Sequence, residues 1–367
     1  SDAQRLETGR LGDTYTVQEE VTTLFVKADF DTQWGNVPVT GNVGVQYVIT
    51  DQTAFGFDSF TGADQFVSAI PNSAGDDYSH VLPSLNMNFE VRDGHFVRFG
   101  LSKTISRSRI DEMKPNNNVS FAFNENNVES TDPAFSAWSG NAGNATLQPY
   151  EADQLDLAYD WYFAADGFLS VAYFHKELVN WHRSGQTVVD FSQFYVPGYH
   201  QVPDTNGSST TGFDTPGTFL GVLNFIEDGL KGDVNGFEIQ GNLPLRVISD
   251  SMEGFGIVAA AAFNDGGFDD GSEIPGLSEE SYSVTAYFER GPFQARIAGT
   301  KRDKFQTQTR AISLSLANTI DQGAELFDAQ ISYDFSLDRW DNILDGLTVS
   351  LQAQNIGDED TIQANQA

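Results

Sequence analysis

The residues that most often carry catalysis are few here and widely separated. The five histidines (His80, His95, His175, His182 and His200) show no metal-ligand spacing, and the absence of Cys excludes a thiol nucleophile and a disulfide framework. No glycine-rich phosphate loop leads from a strand into a helix. Carboxylate pairs such as Asp156 and Asp160 are well separated along one strand face and are more typical of a wet lumen. We therefore predict no catalytic residues and a protein that is not an enzyme.

One segment concentrates acidic side chains. Asn264–Glu273 (NDGGFDDGSE) contains Asp265, Asp269, Asp270 and Glu273 in a Gly-rich loop. Carboxylates on a flexible loop are ligands that Ca²⁺ accepts, although the spacing is not that of an EF-hand. We predict a solvated acidic loop and no metal or cofactor, with Ca²⁺ at these four residues as the alternative.

The segments between the periodic stretches also contain many aromatic residues. Aromatic rings beside Asn, Gln and Asp suit a sugar site, because rings stack on C–H surfaces and amides bind hydroxyls. The alternative is that large loops pack on themselves through these rings. We predict the ligand-binding residues to be Trp138, Trp181, Tyr195 and Tyr199, within a wider set that adds Phe135, Tyr150, Phe191, Phe194, Phe213 and Phe219.

These loops connect segments in which apolar and polar residues alternate with a period of two. In Leu347–Asp358 apolar and uncharged polar residues alternate, which indicates an extended strand with two different faces. The pattern recurs about a dozen times. The predicted strands are Thr14–Phe30, Val39–Thr50, Ser84–Val91, Val97–Ser102, Leu155–Phe163, Phe168–Trp181, Gly236–Leu245, Gly254–Phe263, Ser281–Glu289, Phe293–Lys301, Leu326–Phe335 and Leu347–Asp358.

The apolar face and the polar face both continue from strand to strand, which indicates lipid on one side of the sheet and water on the other. Short and long connections alternate strictly, as in a barrel with short periplasmic turns and long outer loops. The long loops are predicted at Asp51–Asp76, Ser106–Pro149, Ser184–Leu230, Asn264–Leu277 and Asp303–Gly323. Lipid-facing residues are predicted to be Phe255, Ile257, Ala259, Ala261, Phe263, Val284, Ala286 and Phe288, and lumen-facing residues to be Gln294, Arg296, Gln330, Ser332, Gln352 and Gln354.

Composition agrees with an exported barrel. No apolar run is long enough for a spanning helix, and Trp34, Trp161 and Trp340 lie near predicted periplasmic turns, as in an aromatic girdle. The net charge of -32 disfavours nucleic acid as a partner. The first residues, SDAQRLETGR, contain no signal peptide, so we expect the numbering to start in a mature protein or a fragment.

Several blocks, in order, resemble TonB-dependent receptors, the plugged active transporters of the Gram-negative outer membrane. Gln46 stands where the family usually has Arg, and Ser108 where it often has Pro. The blocks are GNVGVQYVIT (Gly41–Thr50), LPSLNMNFEV with VRFGLSKTISR (Leu82–Arg107), the hairpin Leu147–Trp181, GFEIQGNLPL (Gly236–Leu245), Ile274–Glu289 and Phe327–Asp360.

The resemblance implies an all-β antiparallel transmembrane barrel in the cell outer membrane, surrounded by lipid. Residues 1–367 would form one partial barrel domain, about twelve strands of a probable 22-stranded barrel, at positions ten to twenty-one. The plug domain, the segment that engages TonB and the last strand would lie outside the chain. Such a partial barrel leaves two unpaired edges, so we expect no stable monomeric pore from it alone.

The function implied is uptake of a scarce solute with TonB energy coupling. The alternative is a passive porin-like or surface-binding barrel, and a third reading is a soluble β-rich glycan-binding protein. Lys and Arg total 20 against 52 Asp and Glu, many of them in the loops, and an acidic mouth repels anions. We therefore expect a neutral or cationic small molecule, with an oligosaccharide as the best single choice.

Overall fold

The computed structural model describes residues 13–63, 66–310, 316–337, 344, 346–360 and 362–365. One short helix is described, α1 (Glu125–Glu129), with single 3₁₀ turns at Pro133–Phe135, Ser192–Phe194, Leu245–Val247, Asp250–Met252 and Phe335–Leu337. The strands are β1 (Thr16–Trp34), β2 (Val37–Thr61), β3 (Val67–Arg92), β4 (His95–Ser106), β5 (Asn117–Phe121), β6 (Trp138–Ala142), β7 (Tyr150–Tyr162), β8 (Phe168–Asp190), β9 (Val202–Pro203), β10 (Phe213–Asp214), β11 (Leu220–Pro244), β12 (Phe255–Phe268), β13 (Glu280–Arg290), β14 (Phe293–Arg302), β15 (Phe305–Arg310), β16 (Leu316–Asp321), β17 (Ala324–Asp334), β18 (Thr348–Ala353) and β19 (Gln363–Asn365).

Twelve strands form one antiparallel meander in which each pairs with the next along the chain. The order is β1-β2-β3-β4-β7-β8-β11-β12-β13-β14-β17-β18. Each of the twelve predicted strands overlaps one of them, and the predicted antiparallel fold class is confirmed. In the described residues β1 pairs only with β2, and β18 only with β17. The position of these strands in a 22-stranded barrel stays a prediction.

The register places apolar side chains in continuous rows, because residues directly opposite in an antiparallel pair share a face. One row runs across six strands and consists of Met87, Phe99, Leu157, Tyr173, Phe237 and Phe263. Another crosses the last strands and consists of Phe255, Phe288, Ala295, Ile331 and Leu351. Ile331 is 51% and Leu351 74% exposed, so no second sheet covers this described face. We call it the outer face.

The opposite face is polar and contains every predicted lumen residue. Arg296, Gln330 and Gln352 lie side by side on β14, β17 and β18, and Gln294 and Ser332 form the neighbouring pair. Gln354 follows β18 and lines the same cavity as Arg296 and Gln352. We call this the inner wall. The predicted lipid-facing residues share the outer face through the pairs Ile257–Ala286 and Ala259–Val284.

The short connections lie at one end of the sheet, beside aromatic side chains. Gly94 turns between β3 and β4 with φ +72, a backbone conformation that Gly adopts without steric cost. Trp34 packs on Phe89 at 5.7 Å, and Trp161 stacks on His95 at 5.7 Å. Trp34 and Trp161 therefore lie where a girdle requires them, whereas Trp340 falls outside the described residues.

At the opposite end, the outer end, the predicted loops contain more strand than expected. The predicted loop Asp51–Asp76 is instead the continuation of β2 and β3, which pair from Thr61 and Val67 onward. The predicted loop Ser106–Pro149 contains β5, β6 and α1, and β15 and β16 occur within Asp303–Gly323. β5, β6, β15 and β16 are only five or six residues long, so a period-two pattern does not reveal them.

The β5–β6 hairpin joins strands that are far apart in the meander. β5 meets β2 at Ser59–Asn118, and β6 runs parallel to β11 at Val222–Ser139. Together with β3, β4, β7 and β8, these strands form a closed ring of eight at the outer end. The inner side of β2 is consequently covered: Gln52 and Ala54 are buried. The long β4–β7 loop therefore folds inward across the concave side of the sheet. None of the described helices is long and apolar enough to cross a membrane.

Candidate ligand-binding site

The inner wall offers amides, hydroxyls and cations that already have partners. The Arg296 guanidinium donates to the Gln330 amide oxygen, and the Tyr287 hydroxyl donates to the Asn242 amide oxygen at 3.1 Å. A cavity of about 230 Å³ lies against this row, lined by Thr285, Arg296, Ala298, Asp328, Ala329, Gln330, Gln352, Ala353 and Gln354. Such a surface can bind hydroxyls or a polar protein segment.

A larger cavity, about 590 Å³, lies on the inner wall closer to the outer end. Small side chains such as Ala260, Ser283 and Thr300 leave the space. Arg302, at its edge, stacks on the Phe305 ring with 3.8 Å to the centroid and donates to the Gly276 carbonyl at 2.7 Å. The Arg302 guanidinium at this cavity is therefore already engaged with protein groups.

An ion pair lies lower on the inner wall. Arg98 Nε is 2.8 Å from Asp160 Oδ2, and the Ser170 hydroxyl donates to Asp160 Oδ1 at 2.5 Å. Asp160 is buried, and an unpaired buried carboxylate would be costly. Asp160 thus holds Arg98 in place, in agreement with a lumen-lining role for this acid rather than acid–base chemistry.

The loops at the outer end meet in an aromatic group around His200. We call the group the outer cluster: Phe121, Phe123, Trp138, Phe191, Phe194, Tyr195, Tyr199 and His200. The His200 ring lies 4.7 Å from Phe121 and 4.9 Å from both Trp138 and Tyr199. Burial lowers the pKa of His200 to about 4, so the imidazole is neutral near pH 7.

A buried polar network fixes this cluster over the inner wall. Asp58 Oδ1 accepts the Asn72 amide at 2.9 Å, the Asn117 backbone N–H at 3.1 Å and the Asn117 amide at 2.7 Å. Gln52 Nε2 donates to the Ala145 carbonyl at 2.7 Å. Gly56 permits the close approach, because a Cβ there would meet the Asn116 side chain at 1.7 Å. The β4–β7 loop is thus anchored on β2 and β3.

Three of the four predicted ligand-binding residues meet in the outer cluster. Trp138 is only 2% exposed, and its ring packs on Phe121 and Phe191, which favours the loop-packing alternative for this residue. Tyr195 and Tyr199 are half-buried and contact Phe219 and Phe123, respectively. Their role in binding stays a prediction.

Trp181 lies in a separate group. Its ring is 4.7 Å from Tyr150 and 5.7 Å from Phe268, beside a small core of Leu178, Leu230 and Val234. Burial raises the pKa of Tyr150 to about 12 at this outer end. The structure therefore does not bring Trp181 together with Trp138, Tyr195 and Tyr199.

The acidic loop that contains Asp265, Asp269 and Asp270 has local partners. Asp270 accepts the Ser272 hydroxyl at 2.6 Å, and its Oδ2 lies 3.6 Å from Arg183. The hydrogen bonds from Ser272 lower the pKa of Asp270. In the part of the chain that the structure describes, the acids that converge lie elsewhere, at Glu125, Asp204 and Asp214.

The sequence interpretation missed His200 and the two phenylalanines before it in the cluster, Phe121 and Phe123. Phe123 is 53% exposed and packs on Tyr199 at 5.3 Å. The alternating FAF of residues 121–123 is a weak strand signal that could have drawn attention to them. For His200, by contrast, nothing nearby in the sequence indicates its buried position.

The meander, its lipid-type outer face and its inward-folded loops define a transmembrane β-barrel protein of the receptor class. The profile of the family described as TonB dependent receptor-like, beta-barrel matches residues 3–356, and the chain belongs to that family. The family predicted from the sequence blocks is confirmed, together with the outer-membrane location.

Solved structures of the same fold agree with this assignment. A ferric enterobactin receptor mutant from Pseudomonas aeruginosa in complex with enterobactin is 11% identical, with a TM-score of 0.53, and the match covers 93% of this chain and 49% of that one. The siderophore receptor PirA from Acinetobacter baumannii is 11% identical, with a TM-score of 0.52 and coverages of 87% and 49%. The ferric citrate transporter FecA in the unliganded form is 12% identical, with a TM-score of 0.50 and coverages of 95% and 51%.

This chain thus spans about half the length of these solved receptors. At 11–12% identity the likeness extends to the fold alone. No curated protein sequence matches the chain closely enough to count as a relative.

Proposed function

We propose that the chain is the barrel part of an outer-membrane receptor that captures a scarce solute at its loops and admits it with TonB energy coupling. The family membership of residues 3–356 carries this proposal. The inner wall would contact the receptor's plug domain through its amides and paired ions. A passive porin-like or surface-binding barrel is the competing function.

For the solute we propose a neutral oligosaccharide. Two inner-wall cations, Arg98 and Arg302, are engaged by Asp160 and by Phe305 with Gly276. An anionic ferric complex would need free Arg or Lys groups to neutralise it. Half-buried Tyr195 and Tyr199 and exposed Phe123 offer ring surfaces on which sugars stack. The solved receptors above are named for ferric citrate, a siderophore and ferric enterobactin, so an iron complex is the competing substrate class.

Uptake by the intact receptor tests both parts of the proposal. Cells that carry it should accumulate labelled oligosaccharides only while TonB is present. Unchanged uptake after deletion of TonB would instead establish the passive barrel. Tight, saturable uptake of an anionic ferric siderophore without any response to oligosaccharides would overturn the sugar assignment but leave the energy coupling standing.

The aromatic residues can be tested in the same assay. Tyr195→Ala, Tyr199→Ala and Trp181→Ala should each weaken sugar capture by about 1–3 kcal/mol if the rings stack on the ligand, a range taken from aromatic–base stacking. Trp138→Ala should act through loop packing, because its ring is covered. Phe255→Ala on the outer face is the matched control and should leave capture unchanged. Unaltered capture in all the loop variants would remove these residues from the site.

A further inference from the structure

Four acidic side chains from two different loops gather at the outer end. Glu125 and Glu129 lie on α1 in the β4–β7 loop. In the β8–β11 loop, Asp204 directly follows β9 and Asp214 is the last residue of β10. One carboxylate oxygen from each of Glu125, Asp204 and Asp214 lies within 4.8 Å of the other two. The two loops are thus brought together through groups that repel each other.

Polar groups of the protein compensate this charge only in part. Glu125 Oε1 accepts the Thr205 backbone N–H at 2.7 Å, and Asp204 Oδ2 accepts that of Ser209 at 2.9 Å. Glu129 accepts the Asn206 amide at 3.0 Å. In the described residues no Lys, Arg or His nitrogen lies within 4.0 Å of these four carboxylates. The described protein groups therefore leave the negative charge of this cluster without a paired cation.

Asp214 gives a second and independent indication that this cluster binds a ligand. It is only 6% exposed, and its Oδ2 is buried with no hydrogen-bond partner, whereas Oδ1 accepts the Ser208 hydroxyl at 3.1 Å. A buried carboxylate oxygen without a partner is costly unless it ligates something.

We propose that Glu125, Asp204 and Asp214, with Glu129 beside them, bind Ca²⁺ and so tie the β4–β7 loop to the β8–β11 loop. Ca²⁺ accepts six to eight oxygen ligands in irregular geometry, which suits carboxylates on loops, whereas Mg²⁺ demands a near-ideal octahedron. The bound ion would hold together the two segments that build the outer cluster. This site is distinct from the acidic loop Asn264–Glu273, and it does not depend on the proposed substrate.

The test is titration of the intact receptor, purified in detergent and freed of metal, with CaCl₂ alone. We expect saturable binding with a dissociation constant of about 10⁻³ M or tighter, the range of extracellular calcium modules. Asp214→Asn, which keeps the side-chain shape, should weaken it by about tenfold or more, because the ligand charge falls. The double variant Asp269→Asn/Glu273→Gln is the control and should bind Ca²⁺ as the unchanged receptor does.

Proteolysis of the unaltered receptor gives a readout that does not depend on folding of a variant. Ca²⁺ should protect the segment 204–214 from proteinase K, and Mg²⁺ at equal concentration should not. Equal protection by both ions would show only charge screening and would overturn the proposal. Absence of saturable binding up to about 10 mM Ca²⁺ would overturn it too, as would loss of binding in the control variant but not in Asp214→Asn.

Discussion

At the scale of single residues, the side chains that fix the outer loops lie at positions that the local sequence pattern does not mark. Asp58 accepts three hydrogen bonds from two asparagines, one of them 59 positions away. His200 is surrounded by aromatic rings and accepts the Val196 backbone N–H through Nδ1 at 2.9 Å. Both residues hold the loops over the inner wall rather than perform chemistry.

His200 gives a pH-dependent prediction for these loops. Its ordinary pKa of 6.5 applies when the loop opens, and its folded pKa is about 4. Between these values the open loop binds a proton that the folded loop does not, so stability falls as the pH decreases from 6.5 to 4. Above pH 6.5 this residue contributes no pH dependence. The hydrogen-exchange protection factors of residues 191–204, corrected for the intrinsic exchange rate at each pH, should therefore fall over that window.

The matched control is His200→Asn, which keeps a side-chain acceptor for the Val196 N–H but does not titrate. The protection factors of this variant should be nearly constant across the same window. If the variant loosens in acid just as the unaltered protein does, other groups control the loop and the role assigned to His200 is wrong.

At the scale of elements, successive side chains along each strand of the meander point alternately to the outer face and to the inner wall. Ile297 on β14 is 54% exposed on the outer face, and its neighbour Ala298 lies on the inner wall opposite Asp328. Continuity of the apolar rows across neighbouring strands makes the outer face a lipid surface rather than a set of isolated exposed residues.

Lys substitutions at these two neighbours should have opposite outcomes. Ile297→Lys should destabilise the protein in bilayers by about 2–4 kcal/mol, because the ammonium would face hydrocarbon near the midplane. Ala298→Lys, at the same depth, should be tolerated because the ammonium would lie on the polar inner wall opposite Asp328. The folded fraction of the intact receptor after insertion into lipid vesicles measures both effects. Equal effects would mean that the two faces have been assigned incorrectly.

At the scale of the whole molecule, the ring of eight strands is closed, whereas the meander of twelve strands ends in two edge strands. The eight-membered ring closes through β5 and β6, whereas β1 and β18 each have one partner strand in the described residues. Backbone groups without partners cost several kcal/mol each in hydrocarbon, so such edges require further strands.

We therefore expect residues 1–367 by themselves to form no stable monomeric pore. Planar-bilayer recordings with this chain alone should show no steady single-channel conductance, whereas the intact receptor should insert as one closed barrel. Steady conductance from the isolated chain, with a uniform unit size, would show that the two edges are satisfied without other strands.

The sequence by itself determined the family, the antiparallel strands and the faces that Ile257, Ile331, Arg296 and Gln330 occupy. These follow from a period of two and from turn residues such as Asp93-Gly94, which act over a few neighbouring positions. The tertiary structure alone decided where the loops lie. Glu125 meets Thr205, 80 positions later, and Asn118 meets Ser59. Contacts over such separations depend on the packing of two folded loops, and no local periodicity encodes them.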